Sequence, residues 1–204
     1  MRLCYRQGKD VKIMMDKIRV YMTAPSSTVL GPYNRFILWV QGCNKRCKGC
    51  IAKDAWDING GEVVPVERLA EQIIAQEGIE GITISGGEPF LQQEALYGLI
   101  QKVREQKNIG VIIYTGMKYE EIKNTALANC ADIVIDGEYI EELNDDKSLR
   151  GSSNQNVVCL TDRYRSVIDD YYGNQGRKIE LVCDNGITRM IGVPSKGITK
   201  IIGV

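Results

Sequence analysis

The most informative absence from this sequence is histidine, which occurs at none of its 204 positions. A Ser-His-Asp triad, a Cys-His pair and a histidine-ligated metal hydrolase all need that side chain, so these hydrolytic sites are excluded. An excess of charge is also lacking, because 26 Lys and Arg side chains balance 26 Asp and Glu. The charge therefore gives no reason to expect nucleic acid or an anionic membrane surface as a partner.

Long apolar runs are missing as well. The first twenty residues are charged throughout and contain no apolar core of a signal peptide, and no later run could span a bilayer. We therefore expect a cytoplasmic protein with no membrane partner. The seven cysteines suit that compartment, because a reducing environment keeps thiols available to iron.

Three of the cysteines form a close group. Cys43, Cys47 and Cys50 stand in a CxxxCxxC run. Three thiolates can hold three irons of a 4Fe-4S cluster, which leaves the fourth iron open to a small molecule that receives an electron. Zinc is the competing interpretation, but it would need a fourth ligand, and none of the other cysteines belongs to a second close pair. Those other cysteines are Cys4, Cys130, Cys159 and Cys183.

Basic side chains lie among these cysteines, at Lys45, Arg46 and Lys48. Their charge would offset the negative charge of a tris-thiolate cluster, or it could dock an electron donor. A solvated basic loop is the simpler alternative.

A second motif, Ser85-Gly86-Gly87-Glu88-Pro89, follows a predicted strand. Its glycines would let backbone carbonyls approach a ligand closely, and Pro89 suits the first turn of a helix. Since glycines are common where a strand leads into a helix, a bare turn is the alternative. Together with the cysteine run, the turn indicates a cofactor site.

Strands and helices alternate in the hydrophobic pattern. It predicts strands at Lys17–Thr23, Arg35–Gln41, Gly81–Ile84, Ile109–Tyr114 and Ala131–Ile135, a loop at Ala24–Asn34, and helices at Val66–Gln76, Phe90–Gln106 and Tyr119–Leu127. Such alternation indicates an α/β fold with a parallel sheet and right-handed crossovers. Only about four units fit before Gly137, so we expect a partial, open (β/α) barrel rather than a complete one.

Each motif falls at the carboxyl end of a predicted strand, where parallel sheets bind their ligands. Besides the cysteine run and the two-glycine turn, these motifs are Tyr114-Thr115-Gly116 and Asp136-Gly137. Thr115 and Asp136 are therefore candidate contacts, although Asp136 could equally be a structural turn residue.

In this order the motifs are similar to those of the radical S-adenosylmethionine (SAM) superfamily. Two further segments, Gly31-Pro32-Tyr33-Asn34-Arg35 and Arg150-Gly151-Ser152-Ser153-Asn154-Gln155, narrow the similarity to the anaerobic ribonucleotide reductase activating proteins, which are glycyl radical enzyme activases. The resemblance covers roughly residues 17–156. It implies a barrel of radical SAM type, and a 4Fe-4S cluster held by Cys43, Cys47 and Cys50.

The resemblance also implies a mechanism. One electron from a flavodoxin-like or ferredoxin-like donor enters the cluster and cleaves SAM into methionine and a 5′-deoxyadenosyl radical. That radical takes a hydrogen atom from a backbone glycine of a partner enzyme, here an anaerobic ribonucleotide reductase. No protein acid or base is needed, so no catalytic side chain is predicted. The SAM contacts implied are Gly49, Ile51, Gly86, Gly87, Glu88, Thr115, Asp136, Ser152 and Asn154.

Three departures from the family pattern stand out. Gly49 occupies the place before the last cluster cysteine where many radical SAM proteins have an aromatic residue, and Tyr33 replaces the second glycine of a Gly-Pro-Gly found in relatives. The third departure is a long tail. We expect a leader at 1–16, a radical SAM domain at 17–156 and a C-terminal extension at 157–204 that packs on the same domain.

The tail is predicted to contain a short helix and a hairpin. The helix is expected at Tyr164–Tyr172, and the hairpin at Lys178–Cys183 and Ile187–Val193, around Asp184-Asn185-Gly186. Such a tail could recognise a different partner.

Two alternatives to an activase therefore stay open. One is a radical SAM enzyme that modifies a peptide or small molecule and uses the tail for recognition. The other is a non-enzymatic iron-sulfur or zinc binding module, which predicts no affinity for SAM. The small size favours an activase, because a compact open barrel leaves its active-site face uncovered for a protein substrate.

Overall fold

The structure is a computed structural model that describes residues 16–174, 176–184, 186–195 and 197. The predicted leader lies outside the described residues except for Asp16, and so does Cys4.

A mixed sheet forms the centre of the molecule, with strand order β3-β1-β2-β4-β5-β6-β7 in the described residues. Strands β2, β4, β5 and β6 run parallel, whereas β1, β3 and β7 pair antiparallel with their inner neighbours. The α/β class and the parallel centre of the sheet are therefore confirmed. The strands are β1 (Lys17–Ser27), β2 (Arg35–Val40), β3 (Glu62–Pro65), β4 (Gly81–Gly86), β5 (Gly110–Tyr114), β6 (Ile133–Asp136) and β7 (Asn156–Cys159).

The first strand is longer than predicted. The segment Ala24–Ser27, predicted as loop, continues β1 and pairs with β2 through a register shift. Proline at position 25 is tolerated because β3 pairs only with Lys17–Val20, and no other strand of the described residues pairs with that edge of β1 beside the proline. The short edge strands β3 and β7 were not predicted, since four residues are too few to show an alternating pattern.

Two longer helices follow the predicted pattern, and a third does not. The helices are α1 (Val66–Ala75), α2 (Gln93–Arg104), α3 (Tyr119–Ile122), α4 (Ala126–Asn129) and α5 (Arg165–Asp169). The prediction of one helix over Tyr119–Leu127 is wrong, because Thr125 ends one helical turn and caps the next. The Thr125 N–H donates to the Ile122 carbonyl at 2.8 Å, and Thr125 Oγ1 accepts from the Ala128 N–H at 3.2 Å.

The two faces of the sheet are covered by different parts of the chain. Alternate residues of β2 separate them: Phe36 and Leu38 pack with α1 and α2, while Ile37 and Trp39 face the other way. That second face is covered largely by residues beyond β7. These covering residues include Tyr164, Ile168 and Ile191.

A buried arginine fastens this later segment to the amino ends of the parallel strands. Arg35, which is 0% exposed, donates to Thr83 Oγ1 at 2.7 Å, to Glu80 Oε2 at 3.0 Å and to the Tyr164 hydroxyl at 2.7 Å. Tyr164 in turn donates to Glu80. This network lies at the opposite end of the strands from the motifs discussed above, so it fixes the scaffold without touching them.

The predicted hairpin is present as β8 (Ile179–Asp184) and β9 (Ile187–Gly192). Its turn residue Asn185 lies outside the described residues, so the turn type stays a prediction. The short helix predicted at Tyr164–Tyr172 is observed as α5 followed by a π-helical turn at Asp170–Asn174. No helix within the described ranges is long and apolar enough to cross a membrane.

Candidate cofactor-binding site

A cleft of about 920 Å³, counting the space open to solvent, lies at the carboxyl ends of β2, β4, β5 and β6. Most of the residues predicted to bind a cofactor line it. They are Cys43, Cys47, Gly49, Cys50, Ile51, Gly86, Gly87, Glu88 and Thr115.

The cysteine loop leaves β2 and is closed at its base by backbone hydrogen bonds. The Gly42 N–H donates to the Ala55 carbonyl at 2.8 Å, and the Cys43 N–H donates to the Trp56 carbonyl at 3.1 Å. The Gln41 side chain donates to the carbonyls of Asp54 and Asp57 from inside the loop. The three cysteines are therefore displayed on a loop that is tied at both ends.

All three cysteines of the loop are free thiols that are partly exposed. Burial raises the pKa of the Cys47 thiol to about 11, and the Tyr139 backbone N–H opposes this shift only in part. The thiol is thus protonated near neutral pH in the free protein. Binding of iron must displace that proton.

The three thiols are the ligand type that an iron-sulfur cluster uses. Within the part of the chain that the structure describes, no group of three or more Cys, Asp or Glu side chains is arranged to hold one metal ion. A 4Fe-4S cluster makes a different demand, because each thiolate binds a different iron. Three free thiols on one loop at the edge of a cleft meet that demand.

Gly49 has a backbone reason to be glycine. Its φ is +72°, in the left-handed region, and an added Cβ would lie 2.9 Å from Cδ of Glu141. An aromatic residue at this position would therefore be strained and would meet Glu141. The departure from the family pattern at Gly49 follows from the local conformation of this loop.

The two-glycine turn after β4 packs directly on the start of the cysteine loop. The Gly87 N–H donates to the Val40 carbonyl and the Glu88 N–H to the Gly42 carbonyl, both at 2.8 Å. An added Cβ at Gly87 would lie 2.2 Å from the Gly42 oxygen. The turn and the loop therefore meet backbone to backbone, and only glycine fits between them.

Glu88 connects this turn to the one after β5. Its carboxylate is 1% exposed and accepts hydrogen bonds from Thr115 Oγ1 at 2.7 Å, Gly116 N–H at 2.9 Å and Phe90 N–H at 3.1 Å. Burial raises its pKa, and these hydrogen bonds and the nearby Lys45 oppose the shift. Both carboxylate oxygens are engaged by the protein itself, so the side chain positions the two turns.

Three predicted contacts do not line the cleft: Asp136, Ser152 and Asn154. The Asp136 carboxylate accepts hydrogen bonds from the Tyr119 N–H at 2.8 Å and from the Asn156 side chain. Ser152 Oγ accepts from the Ile140 N–H at 3.1 Å. Asn154 Nδ2 donates to the Glu138 carbonyl at 2.7 Å. Each one holds a turn. Polar residues at strand ends serve turns and ligands alike, and sequence does not separate the two uses.

Other cleft residues were not predicted, although a sequence signal existed for some of them. Tyr114 stands in the Tyr-Thr-Gly motif, and its hydroxyl is buried with no hydrogen-bond partner among the described residues. Gly151 and Gln155 belong to the Arg-Gly-Ser-Ser-Asn-Gln segment that was quoted for Ser152 and Asn154. Val193 and Pro194 carried no signal. The full set of additional lining residues includes Lys45, Ser85, Gly116, Gly137, Tyr139 and Asn144.

The donor set of this cleft fits a 4Fe-4S cluster with SAM. The thiols can supply iron ligands, the two glycines border the cleft, and the Tyr114 hydroxyl is a buried polar group without a hydrogen-bond partner among the described residues. Of the basic residues of the loop, Lys45 lines the cleft, whereas Lys48 points to Glu142 at 2.8 Å.

Comparison with known proteins gives a consistent result. A family model described as a 4Fe-4S single cluster domain matches residues 29–158. The chain is 31% identical over 153 residues to the anaerobic ribonucleoside-triphosphate reductase-activating protein of Enterobacteria phage T4, covering 72% of this chain and 96% of that protein. It is 33% identical over 148 residues to the protein of the same name from Escherichia coli K12, covering 67% and 95%.

A more distant similarity extends to a second kind of activase. The pyruvate formate-lyase 1-activating enzyme of Escherichia coli K12 is 26% identical over 168 residues, covering 79% of this chain and 65% of that enzyme.

Proposed function

The chain belongs to the 4Fe-4S single cluster domain family and is a radical SAM activase of glycyl radical enzymes, and from this premise we propose that it activates an anaerobic ribonucleotide reductase. One observation carries the choice of partner. The two relatives quoted above that are named for that reductase match this chain over 96% and 95% of their length, whereas the activase of pyruvate formate-lyase matches over 65% of its length. The cofactors predicted from the sequence, a 4Fe-4S cluster and SAM, are confirmed by this membership.

Cys43, Cys47 and Cys50 would hold the cluster, and the backbone of Gly86 and Gly87 would border the SAM beside it. When bound, the reduced cluster and SAM supply a radical that removes a hydrogen atom from a glycine of the partner. The role of the protein is to bind and orient the cluster and SAM and to exclude water from them.

The titratable side chains of the cleft are not used as acids or bases. The Glu88 carboxylate is saturated by three donors, and burial raises the pKa of the Tyr114 hydroxyl far above its usual range. The hydrogen bonds of Glu88 give its carboxylate a structural role, and the raised pKa of Tyr114 keeps its hydroxyl protonated. This supports the prediction that no catalytic side chain takes part.

The architecture we propose is the partial, open (β/α) barrel of the radical SAM type. It is supported by parallel strands β2, β4, β5 and β6 with α1 and α2 on one face, and by a cleft at their carboxyl ends. We keep the division into a leader at 1–16, a domain at 17–156 and an extension at 157–204. The free cysteines agree with a cytoplasmic location, where a flavodoxin-like or ferredoxin-like donor would supply the electron.

The test is activation of the partner under anaerobic conditions. The protein is reconstituted with iron and sulfide, reduced with dithionite and given SAM, once with an anaerobic ribonucleotide reductase and once with pyruvate formate-lyase. We expect 5′-deoxyadenosine in both mixtures and the glycyl radical signal in electron paramagnetic resonance only with the reductase. Cys47→Ala should abolish both products, and Cys183→Ala, which changes an exposed cysteine of the hairpin, should retain them.

Two results would count against the proposal. If the cluster assembles but no nucleoside forms, the protein is not a radical SAM activase. If the nucleoside forms and the reductase acquires no radical, the partner is wrong, and a peptide or small-molecule substrate becomes the better hypothesis.

A further inference from the structure

Part of the cleft is built by residues that lie outside the matched family region. The family model ends at residue 158, yet Val193 and Pro194 line the cleft together with the cysteine loop and the two-glycine turn. We call Val193 and Pro194 the tail wall.

On one side, the hairpin anchors the tail wall to the sheet. Ile191, two residues before Val193, is 2% exposed and packs against Ile37 and Trp39 of β2. The Glu180 carboxylate of β8 accepts from both the N–H and the hydroxyl of Thr28 at 3.0 Å. The hairpin is therefore fixed beside the first two strands.

On the other side, a buried arginine ties the tail wall to the segment before β7. Arg177, whose side chain is 3% exposed, donates through Nη1 to the Pro194 carbonyl at 2.8 Å. Its Nη2 donates to the carbonyls of Arg150 at 2.7 Å and Gly151 at 2.9 Å. Its Nε donates to the Lys147 carbonyl at 3.0 Å.

This arrangement carries the chain across the face of the sheet that the long helices leave uncovered. Arg177 links the tail wall, which follows the hairpin beside β2, to Gly151, which itself lines the cleft. The planar guanidinium suits the task, because its five donors diverge in a fixed geometry and can reach several carbonyls at once. Without it, carbonyls on both sides of the crossing would lose their donors.

The chemistry of the tail wall suits a radical site. It presents one aliphatic side chain and one proline ring, and the Pro194 carbonyl is already engaged by Arg177. Proline has no N–H, so this backbone offers few groups that would hold water against the cofactor. Excluding water is what a cleft that generates a radical requires.

We propose that Val193 and Pro194, positioned by Arg177, form the side of the SAM site that faces away from the long helices. They contact bound SAM and keep water from it before the partner docks. This inference rests on the proposed function, because it assumes that SAM occupies the cleft. Arg177 is a positioning residue, since it acts through the wall and not on the ligand.

The experiment measures the affinity of the reduced, cluster-loaded protein for labelled SAM by equilibrium dialysis. The readout is bound SAM and not SAM cleavage. Hydrogen exchange of the peptide that covers 186–195 is followed with and without SAM. The variants are Arg177→Met, which keeps the bulk but removes all donors, and Val193→Ala, which removes two methyl groups from the wall. Leu181→Ser is the matched control, because Leu181 is on the same hairpin, is 64% exposed and does not line the cleft.

We expect SAM to slow exchange in the 186–195 peptide of the parent. Arg177→Met should weaken SAM binding about tenfold, as loss of one to two hydrogen bonds would. Val193→Ala should weaken it by a smaller factor. Both variants should keep the iron content and cluster spectrum of the parent, and Leu181→Ser should bind SAM as the parent does.

The inference is overturned if the parent binds SAM while exchange of the peptide is unchanged and Val193→Ala binds SAM equally well. Val193→Ala keeps this test decisive even if Arg177→Met folds poorly, since it removes little volume. If the fully loaded parent does not bind SAM at all, the proposed function itself fails, and the inference fails with it.

Discussion

Replacement of Gly87 by alanine should damage the site more than its size suggests. The new Cβ would lie 2.2 Å from the Gly42 oxygen and 2.7 Å from the Gly42 carbonyl carbon. Ordinary contacts between such atoms need about 3.5 Å, so the two backbones must separate by roughly 1 Å. That separation breaks the 2.8 Å hydrogen bond from Glu88 N–H to Gly42 and displaces Cys43, the next residue.

The cost can be estimated from what is known of overpacked interiors. Forcing an extra methyl group into a packed site typically costs about 1–3 kcal/mol. Gly98 provides the matched control, because it lies inside α2 and an added Cβ would meet nothing within 4 Å. Gly98→Ala should therefore stabilise the protein by about 0.5–1 kcal/mol.

The assay is anaerobic urea denaturation of the iron-free protein for both variants, followed by iron content and SAM affinity after reconstitution. We expect Gly87→Ala to be less stable than Gly98→Ala by about 1.5–4 kcal/mol and to bind SAM more weakly. If Gly87→Ala matches the parent in stability, iron content and SAM affinity, the close backbone contact between turn and loop has no functional importance and the reasoning fails.

Three further predictions concern single side chains. Burial raises the pKa of Glu88 in the folded state above its usual 4.5, so the folded state binds the proton more tightly than the unfolded state. The contribution of this group to stability is therefore fully present below pH 4.5 and declines as the pH rises through the raised pKa. Glu88→Gln should remove that decline, and unfolding curves of parent and variant between about pH 4 and 8 measure it. If both proteins show the same pH dependence of stability, the prediction is wrong. Tyr33 has a φ of 63°, in the left-handed region that strains residues other than glycine, and its side chain is 55% exposed. Tyr33→Gly should therefore raise the free energy of unfolding by up to about 1 kcal/mol in thermal unfolding. A lower stability would refute the strain argument. Tyr164→Phe removes the hydroxyl between Arg35 and Glu80. It should lower the free energy of unfolding in urea by about 1–2 kcal/mol and leave the SAM affinity unchanged. If the stability does not fall, this hydrogen-bond network is dispensable.

Local patterns accounted for much of the fold. The apolar spacing of α1 and α2 and the runs of β4 and β5 are strong, because each element buries one continuous stripe or face against the rest. The prediction failed where local chemistry competes with spacing. At Thr125 a side-chain cap divides what the apolar spacing presents as one helix, and at Ala24–Ser27 a residue pattern typical of loops is held in β1 by pairing with β2.

The candidate site divides in the same way. The cysteines and the two-glycine turn were predicted from their spacing in the chain, and the structure places both at the cleft. Asp136, Ser152 and Asn154 were expected beside SAM; each makes hydrogen bonds within a turn and does not itself line the cleft, so their contact with SAM stays a prediction. Tyr114 was treated as part of a strand, although its hydroxyl lies buried at the cleft.

The sequence by itself determined the ligand chemistry of this protein: three close cysteines without histidine favour an iron-sulfur cluster, because ligand type and spacing are local properties, and the order of the motifs carried the resemblance that implies SAM. Only the tertiary structure decided which side chains line the cleft. Val193 and Pro194 reach the cleft through the packing of Ile191 and the hydrogen bonds of Arg177, and such contacts join segments far apart in the chain. Their geometry depends on how the whole sheet is covered, which no local pattern encodes.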